Sequence, residues 1–287
     1  MRIVLILLAV PATAACGARG GTADVVAATN VYGDIAAQIA GPDVRVASIL
    51  SDPNADPHLY EPGTRNGLAV AHARLVVANG LGYDAFLTKL ERAAPSASRL
   101  TVTVASVLGV HGARANPHLW YDVPALPRIA AAIERGLERA LPGRVAGFRA
   151  RLARFVASLA PLRAEVAAIR SAHAGEAVAY TEAVPGYLLE AAGLRNLAPP
   201  AFTRAMEDGA EPPPSAVSDM LALFRGRRVR ALLYNEQAAS PIAQRVQDAA
   251  RAAGIPVVAV TETLPRGQSF QGWQLAQAVA LAKALAR

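Results

Sequence analysis

The sequence predicts an α/β protein made of two lobes, each with a parallel sheet, that are joined by one long helix. Short apolar runs alternate with helical segments in both halves of the 287 residues, which is the spacing of parallel βα units. The longest helical stretch lies between these halves, at about residues 144–172, with apolar residues three and four positions apart. At about 1.5 Å per residue it would be roughly 45 Å long, so we expect it to connect two lobes.

The predicted organisation has four parts. We place a signal peptide at residues 1–16, an N-terminal lobe at 17–141, the connecting helix at 142–173 and a C-terminal lobe at 174–287. The strands are predicted at residues 25–29, 44–50, 75–78 and 100–104 in the first lobe, and at 177–180, 229–234 and 255–260 in the second. A ligand would then bind in a crevice beyond the carboxyl ends of these strands.

The composition indicates a globular protein without a nucleic-acid surface. Hydrophobic residues make up 53% of the chain and charged residues 18%, which is sufficient for large buried cores. The net charge is +7, but the basic residues, 27 of them arginine, are dispersed and aromatic residues are only 5%. No basic stripe with interleaved aromatic residues occurs, so we expect no nucleic-acid partner.

The first residues resemble an export signal. Met1-Arg2 precedes an apolar run that is too short to span a membrane, and Cys16 follows Ala14-Ala15. Cys16 is the only cysteine, and its position resembles the lipidated cysteine of bacterial lipoproteins, although Thr13 stands where leucine is usual. The alternative is a cysteine beside an ordinary cleavage site. Either interpretation predicts a protein that works outside the cytoplasm.

Two histidines occur in the same setting, sixty residues apart. His58 lies in Pro57-His58-Leu59-Tyr60 and His118 in Pro117-His118-Leu119-Trp120, each on a loop after an apolar segment. Proline keeps such loops out of helical conformations, so both imidazoles are predicted to project from stiff loops. Each could be a metal ligand, a catalytic acid or base, or an ordinary loop histidine, and the matching settings predict that both belong to one functional site.

Carboxylates at strand ends of the second lobe complete this candidate site. Glu182 follows one predicted strand and Glu262 follows another, so both should face the same cleft as His58 and His118. Two neutral imidazoles and two carboxylates around a divalent cation give a neutral set of four ligands. Glu236 also follows a strand, and chemistry alone leaves Glu262 and Glu236 as alternatives for the fourth ligand. Metal-bound histidines need acceptors that orient the other ring N–H, and Glu61 and Asp122 are the candidates for this role.

The motifs around these residues resemble the zinc/manganese solute-binding proteins of bacterial ABC importers, over nearly the whole mature chain. The matching segments are Asp56-Pro57-His58-Leu59-Tyr60-Glu61-Pro62, Asn79-Gly80-Leu81-Gly82-Tyr83-Asp84, Asn116-Pro117-His118-Leu119-Trp120, Thr181-Glu182-Ala183-Val184-Pro185-Gly186-Tyr187, Tyr234-Asn235-Glu236-Gln237 and Thr261-Glu262-Thr263-Leu264-Pro265. The resemblance implies two βα lobes, one connecting helix and a metal ion between the lobes.

The resemblance also implies the ligands and the partners. It assigns the four ligand positions to His58, His118, Glu182 and Glu262, the last where aspartate is usual. Glutamate at position 182 resembles manganese-type members, but zinc stands above manganese in intrinsic affinity, so either Mn or Zn is expected. The implied protein is a monomer, held at the membrane by a lipid anchor. It would deliver its ion to an ABC permease that a separate ATPase drives.

Two rival functions come from other classes. His58-x-x-Glu61 with the distant His173 has the spacing of a zinc carboxypeptidase, which would keep an open metal position for water. That hypothesis gives His118, Glu182 and Glu262 no role, and the chain lacks a His-Glu-x-x-His helix and a Gly-x-Ser-x-Gly turn. A surface adhesin would not need four convergent ligands. We therefore expect a binding protein and no enzyme.

Overall fold

The computed structural model describes residues 23–52 and 60–287. The predicted signal peptide with Cys16 and the predicted ligand His58 lie outside the described residues. Among the helices formed by the described part of the chain, none combines the length and the apolar character that crossing a membrane requires.

Four parallel strands form the sheet of the first half, in the order β2-β1-β3-β4. These strands are β1 (Val25–Thr29), β2 (Val46–Leu50), β3 (Leu75–Ala78) and β4 (Leu100–Thr103). Val25 lies beside both Val46 and Leu75, which fixes the register of the three strands. All residues of β1 and β3 are buried, as expected for central strands whose two faces are both covered.

Helices alternate with these strands, as predicted. They are α1 (Asn30–Ala40), α2 (Thr64–His72), α3 (Ala85–Ala93), α4 (Val104–Leu108) and α5 (Leu126–Ala140). Helix α1 begins directly after β1 and ends at Gly41, whose φ of 81° suits a residue without a side chain. Short 3₁₀ turns at Leu119–Tyr121 and Val123–Ala125 lead into α5.

The connecting stretch consists of two helices and differs from the single continuous helix that we predicted. Helix α6 (Val145–Ser158) and helix α7 (Ala160–His173) meet at Leu159. Pro161 is the physical reason, because it has no N–H to donate to the carbonyl four residues earlier and its ring disfavours a regular helix there. The predicted apolar face is otherwise present, since Phe148, Phe155 and Leu162 are buried.

The second half repeats the parallel arrangement, with strand order β6-β5-β7-β8. Its strands are β5 (Ala177–Tyr180), β6 (Arg195–Asn196), β7 (Leu232–Asn235) and β8 (Val257–Val260). Its helices are α8 (Gly186–Ala191), α9 (Pro200–Glu207), α10 (Pro214–Arg225), α11 (Pro241–Ala252) and α12 (Phe270–Leu285). The predicted class, two parallel-sheet α/β lobes, is confirmed.

Helix α12 also contacts the first half. It packs on α7 and β8 and touches α1. The Asp34 carboxylate of α1 accepts a hydrogen bond from the Phe270 N–H at 2.9 Å, and Gln38 and Gln271 exchange side-chain hydrogen bonds. One continuous cluster of buried apolar residues runs through both halves. The last helix therefore fastens the two sheets together in addition to the connecting helices.

Candidate metal centre

His118 is held at the start of the 3₁₀ turn Leu119–Tyr121 by contacts on both sides of its loop. Asn79, directly after β3, donates its amide to the carbonyl of Pro117 at 2.9 Å. Asn116 accepts from the backbone N–H of His118 at 3.0 Å, and the same oxygen lies 2.7 Å from the ring Nδ1. The imidazole is also fully buried, and these contacts fix the direction in which its Nε2 points.

That direction leads to Glu262, in the loop after β8. The Nε2 of His118 lies 3.2 Å from Oε2 of Glu262, which is also fully buried. The same oxygen accepts a hydrogen bond from the Tyr83 hydroxyl at 2.9 Å. Burial, and then the nearby charge of Glu262, raises the pKa of Tyr83 well above its usual value, so this hydroxyl stays a donor. The backbone N–H of Glu262 is held by Gln237 at 2.6 Å.

Glu182, in the loop after β5, is linked to Glu262 through the side-chain amide of Asn235. The side-chain nitrogen of Asn235, at the end of β7, donates to Oε2 of Glu182 at 2.8 Å and to Oε1 of Glu262 at 2.7 Å. Because both distances, 2.8 and 2.7 Å, start from one nitrogen, the two oxygens lie no more than 5.5 Å apart. Glu182 is only 2% exposed. The carboxyl ends of β5, β7 and β8 thus converge as parallel strands require.

Three of the four predicted ligands therefore lie around Asn235, and the fourth, His58, is outside the described residues. Within residues 23–52 and 60–287, no group of three His, Cys, Asp or Glu side chains is close enough to hold a metal ion without movement. His118 and Glu262 are in direct contact, and the Asn235 amide bonds both Glu262 and Glu182. The competing carboxylate Glu236 is exposed, whereas Glu262 is the one that contacts an imidazole.

The structure gives Asp122, one of the two predicted orienting acceptors, a different partner. Asp122 accepts from the backbone N–H of Ala125 at 3.2 Å and so caps the turn Val123–Ala125. The pKa of Asp122 is raised above its usual value, because burial raises it by more than the hydrogen bond from Ala125 lowers it. Glu61 is exposed. The acceptor at Nδ1 of His118 is Asn116, which is closer in the chain and already fixed by its own bond to the carbonyl of Ala183.

Sequence reasoning assigned no role to Asn116, Asn235 or Tyr83. All three stand in the quoted motifs, and the asparagine two residues before His118 was the best available signal, since such side chains often bond the backbone two residues on. The contacts of Asn235 and Tyr83 with Glu262 join residues 27 and 179 positions apart in the chain. Such distant contacts leave no local pattern.

His173, the third member of the rival peptidase site, lies at the other end of the sheet. It pairs with Glu176 at 3.3 Å, just before the amino end of β5, whereas Glu182 follows the carboxyl end. Six residues of nearly extended chain span about 20 Å. The described residues thus give no support to a site that combines His173 with the carboxyl-end loops.

A cavity of 690 Å³ opens beside Glu182. Its other acidic lining residues are Glu207, Asp208 and Glu211, which lie at the end of α9 and in the following loop. The loop after β7, from Ala238 to Ser240, also lines it. The cavity therefore has several acidic lining residues beside Glu182.

The same fold occurs in solved periplasmic metal-binding proteins. The SBP FpvC of Pseudomonas aeruginosa, solved with Mn²⁺, aligns with a TM-score of 0.77 at 18% identity, over 93% of this chain and 99% of its own. The periplasmic zinc-binding protein TroA of Treponema pallidum aligns with a TM-score of 0.75 at 22% identity, over 93% and 100%. The chain thus has the two-lobed α/β fold of these solved proteins.

The sequence comparison gives the family. The sequence model of ZnuA, the periplasmic component A of zinc-uptake complexes, matches residues 25–284. The chain therefore belongs to this family. It is also 29% identical over 151 residues to the zinc-binding protein TroA of Treponema pallidum, and 28% identical over 156 residues to the manganese-binding lipoprotein MntA of Bacillus subtilis. These two matches cover 48% and 50% of this chain, and the chain spans about half the length of both relatives, 48% and 51%.

Proposed function

We propose that the protein captures a divalent transition metal ion, Mn or Zn, outside the cytoplasm and delivers it to an ABC permease. The observation that carries this proposal is the buried contact between His118 Nε2 and Glu262, at 3.2 Å, which joins a loop of the first half to a loop of the second. His118, Glu182 and Glu262 would be ligands, and His58 would be the fourth.

The chemistry of these side chains suits a transition-metal ion. Metal–nitrogen and metal–oxygen bonds to such ions are about 2.0–2.2 Å long, so two oxygens on one ion can be at most about 4.4 Å apart. The oxygens of Glu182 and Glu262 lie within 5.5 Å of each other on the Asn235 amide. An approach of at most about 1 Å would therefore bring the two oxygens within the largest separation that one ion allows. Two buried carboxylates also favour a cation that balances their charge.

The choice between manganese and zinc follows from the same donors. Carboxylates suit manganese, imidazole suits zinc, and the intrinsic affinity order favours zinc over manganese. One relative is named as a zinc-binding protein and another as a manganese-binding lipoprotein. The proposed cargo is therefore either ion, with Glu182 favouring manganese.

The proposed partners follow from family membership and from the predicted first residues. We infer a permease with its ATPase as the acceptor of the ion, and a lipid at Cys16 that keeps a monomeric protein at the cell surface or in the periplasm. The binding lobes would be residues 17–141 and 174–287, with residues 142–173 between them.

The test is metal binding by the purified protein in the presence of competing manganese and zinc, measured by native mass spectrometry and titration calorimetry. We expect one ion per chain, and His118→Ala should weaken binding at least a hundredfold because it removes a ligand. The matched control is His173→Ala, which should bind like the unmodified protein, since His173 pairs with Glu176 at the other end of β5. Equal loss in both variants, or no binding by the unmodified protein, would contradict the proposal.

A further inference from the structure

Glu207, the last residue of α9, lies beside the candidate metal centre. Its Oε1 is 3.9 Å from Nδ1 of His118, and its side chain is 21% exposed. It also lines the cavity that opens at Glu182. Glu207 thus combines a position near Nδ1 of His118 with a position in the lining of this cavity.

The position of Glu207 fits a role that acts through His118. Nδ1 of His118 already contacts Asn116 at 2.7 Å, and this partner is a neutral amide oxygen. An imidazole that binds a metal through Nε2 becomes more positive, and a carboxylate near its other nitrogen stabilises that state. At 3.9 Å the Glu207 carboxylate is too far for a hydrogen bond but close enough for a strong charge interaction in a partly buried site.

Glu207 also lies at a contact between the two halves. His118 belongs to the first half and α9 to the second, so the carboxylate is next to the imidazole only while α9 occupies its observed place. The charge of Glu207 is felt by Tyr180 as well, whose pKa is raised first by burial and then by this charge.

We propose that Glu207 is a positioning residue that sets the affinity and the capture rate of the metal centre through its charge beside His118. This inference rests on the proposed metal-binding function. The incoming divalent cation would be attracted by Glu207 in the cavity, and the bound ion would be stabilised through the imidazole.

The test compares Glu207→Gln and Glu207→Asp with the unmodified protein. Titration of Mn²⁺ and Zn²⁺ into the metal-free proteins should show about tenfold weaker binding for Glu207→Gln, the lower end of the range for groups behind metal-bound histidines. Glu207→Asp should regain most of the affinity because it keeps the charge. Stopped-flow binding should also be slower for Glu207→Gln and less dependent on salt, since steering by charge is screened by ions.

The matched control is Glu165→Gln, which makes the same charge change on α7 and lies outside the cavity lining. It should leave affinity, rate and salt dependence unchanged. Unchanged binding in Glu207→Gln would overturn the role of Glu207 while leaving the metal site intact. A loss that Glu207→Asp does not restore, together with a lower melting temperature of the metal-free protein, would show a structural role and also overturn it. Failure of the unmodified protein to bind either ion would remove the proposed function and this inference together.

Discussion

Asn235 supports two buried carboxylates with one side-chain nitrogen. Its donors reach Glu182 at 2.8 Å and Glu262 at 2.7 Å, and its own oxygen accepts from the backbone N–H of Gln237 at 3.1 Å. Its backbone N–H is in turn held by the hydroxyl of Thr181 at 3.2 Å. A neutral amide can separate two like charges and bond to both, which a hydrophobic residue could not do.

Asn235→Ala should therefore destabilise the metal-free protein. Loss of the amide leaves buried carboxylate oxygens with fewer donors, and we expect the free energy of unfolding to fall by about 2 kcal/mol. Metal affinity should fall as well, because the two carboxylates lose their common support. Urea unfolding in the presence of a chelator measures the first effect, and titration calorimetry the second.

Asn196→Ala is the matched control for that substitution. Asn196 is exposed on β6, where its side chain accepts from Ala198 at 3.0 Å and hydrogen-bonds the Tyr180 hydroxyl, so the change should cost less than Asn235→Ala, about 1 kcal/mol. A similar loss at both positions would refute the special role of the Asn235 amide.

At the level of single residues, the sequence predicted side chains that follow strands but not their partners. His118, Glu182 and Glu262 could be located because parallel strands send their carboxyl ends to one side. The amide of Asn235 and the carboxylate of Glu207 lie at the site because of contacts with residues far away in the sequence. Asn235 contacts Glu262, and Glu207 lies near His118. Asp122 is predicted to accept from an imidazole N–H, yet its side chain accepts from the backbone N–H of Ala125.

At the level of elements, the hydrophobic pattern predicted most of the strands but did not show where the long helix is interrupted. The three- and four-residue spacing of apolar residues continues through Leu159 and so concealed the break, although Pro161 marks it in the sequence. Helices α9 and α10 and the two-residue strand β6 were not predicted. Prolines at positions 199 and 200 and at 212–214 stand at the starts of α9 and α10, where proline is well suited to the first turn of a helix.

The start of α12 depends on a residue from a different helix. The Asp34 carboxylate of α1 accepts from the Phe270 N–H at 2.9 Å, while Ser269 accepts from Gly272 at 3.3 Å. Because helix N-termini are stabilised by such acceptors, Asp34→Ala should lower the free energy of unfolding by about 1 kcal/mol. Chemical unfolding measures this loss. Hydrogen exchange at Phe270 should become faster at the same time.

Asp34→Asn is the control, since it keeps an acceptor oxygen and removes only the charge. It should cost less than Asp34→Ala. Equal effects of the two variants would mean that the charge of Asp34, and not its hydrogen bond, holds α12.

At the level of the whole molecule, the two halves are held together at several points besides the connecting helices. Asn30 donates to the carbonyl of Leu264 at 2.8 Å, and the Tyr121 hydroxyl donates to the carbonyl of Thr261 at 2.7 Å. Both bonds link the first half to the loop that carries Glu262. The sequence predicted two lobes and a connecting helix, but no pattern in it indicated these further hydrogen bonds between the two halves.

Metal binding should therefore change the overall shape very little. Small-angle scattering with and without metal should give the same radius of gyration, because a hinge motion would have to break the bonds at Leu264 and Thr261. The His118→Ala protein with added metal is the control for effects of the ion on the solution. A rotation of tens of degrees between metal-free and metal-bound crystals would contradict this expectation.

The contact between α1 and α12 also has a consequence for the order in which the protein is made. Asp34 and the backbone of Phe270 are 236 positions apart, and Asn30 and Leu264 are 234 apart. The ribosome therefore synthesises the strands of the first sheet and both connecting helices long before it synthesises the segment that packs on α1. Since contacts between distant residues form slowly, the last step of folding should wait for residues 264–285 to emerge. Until then, the surface of α1 that α12 will cover is open to other chains and to proteases.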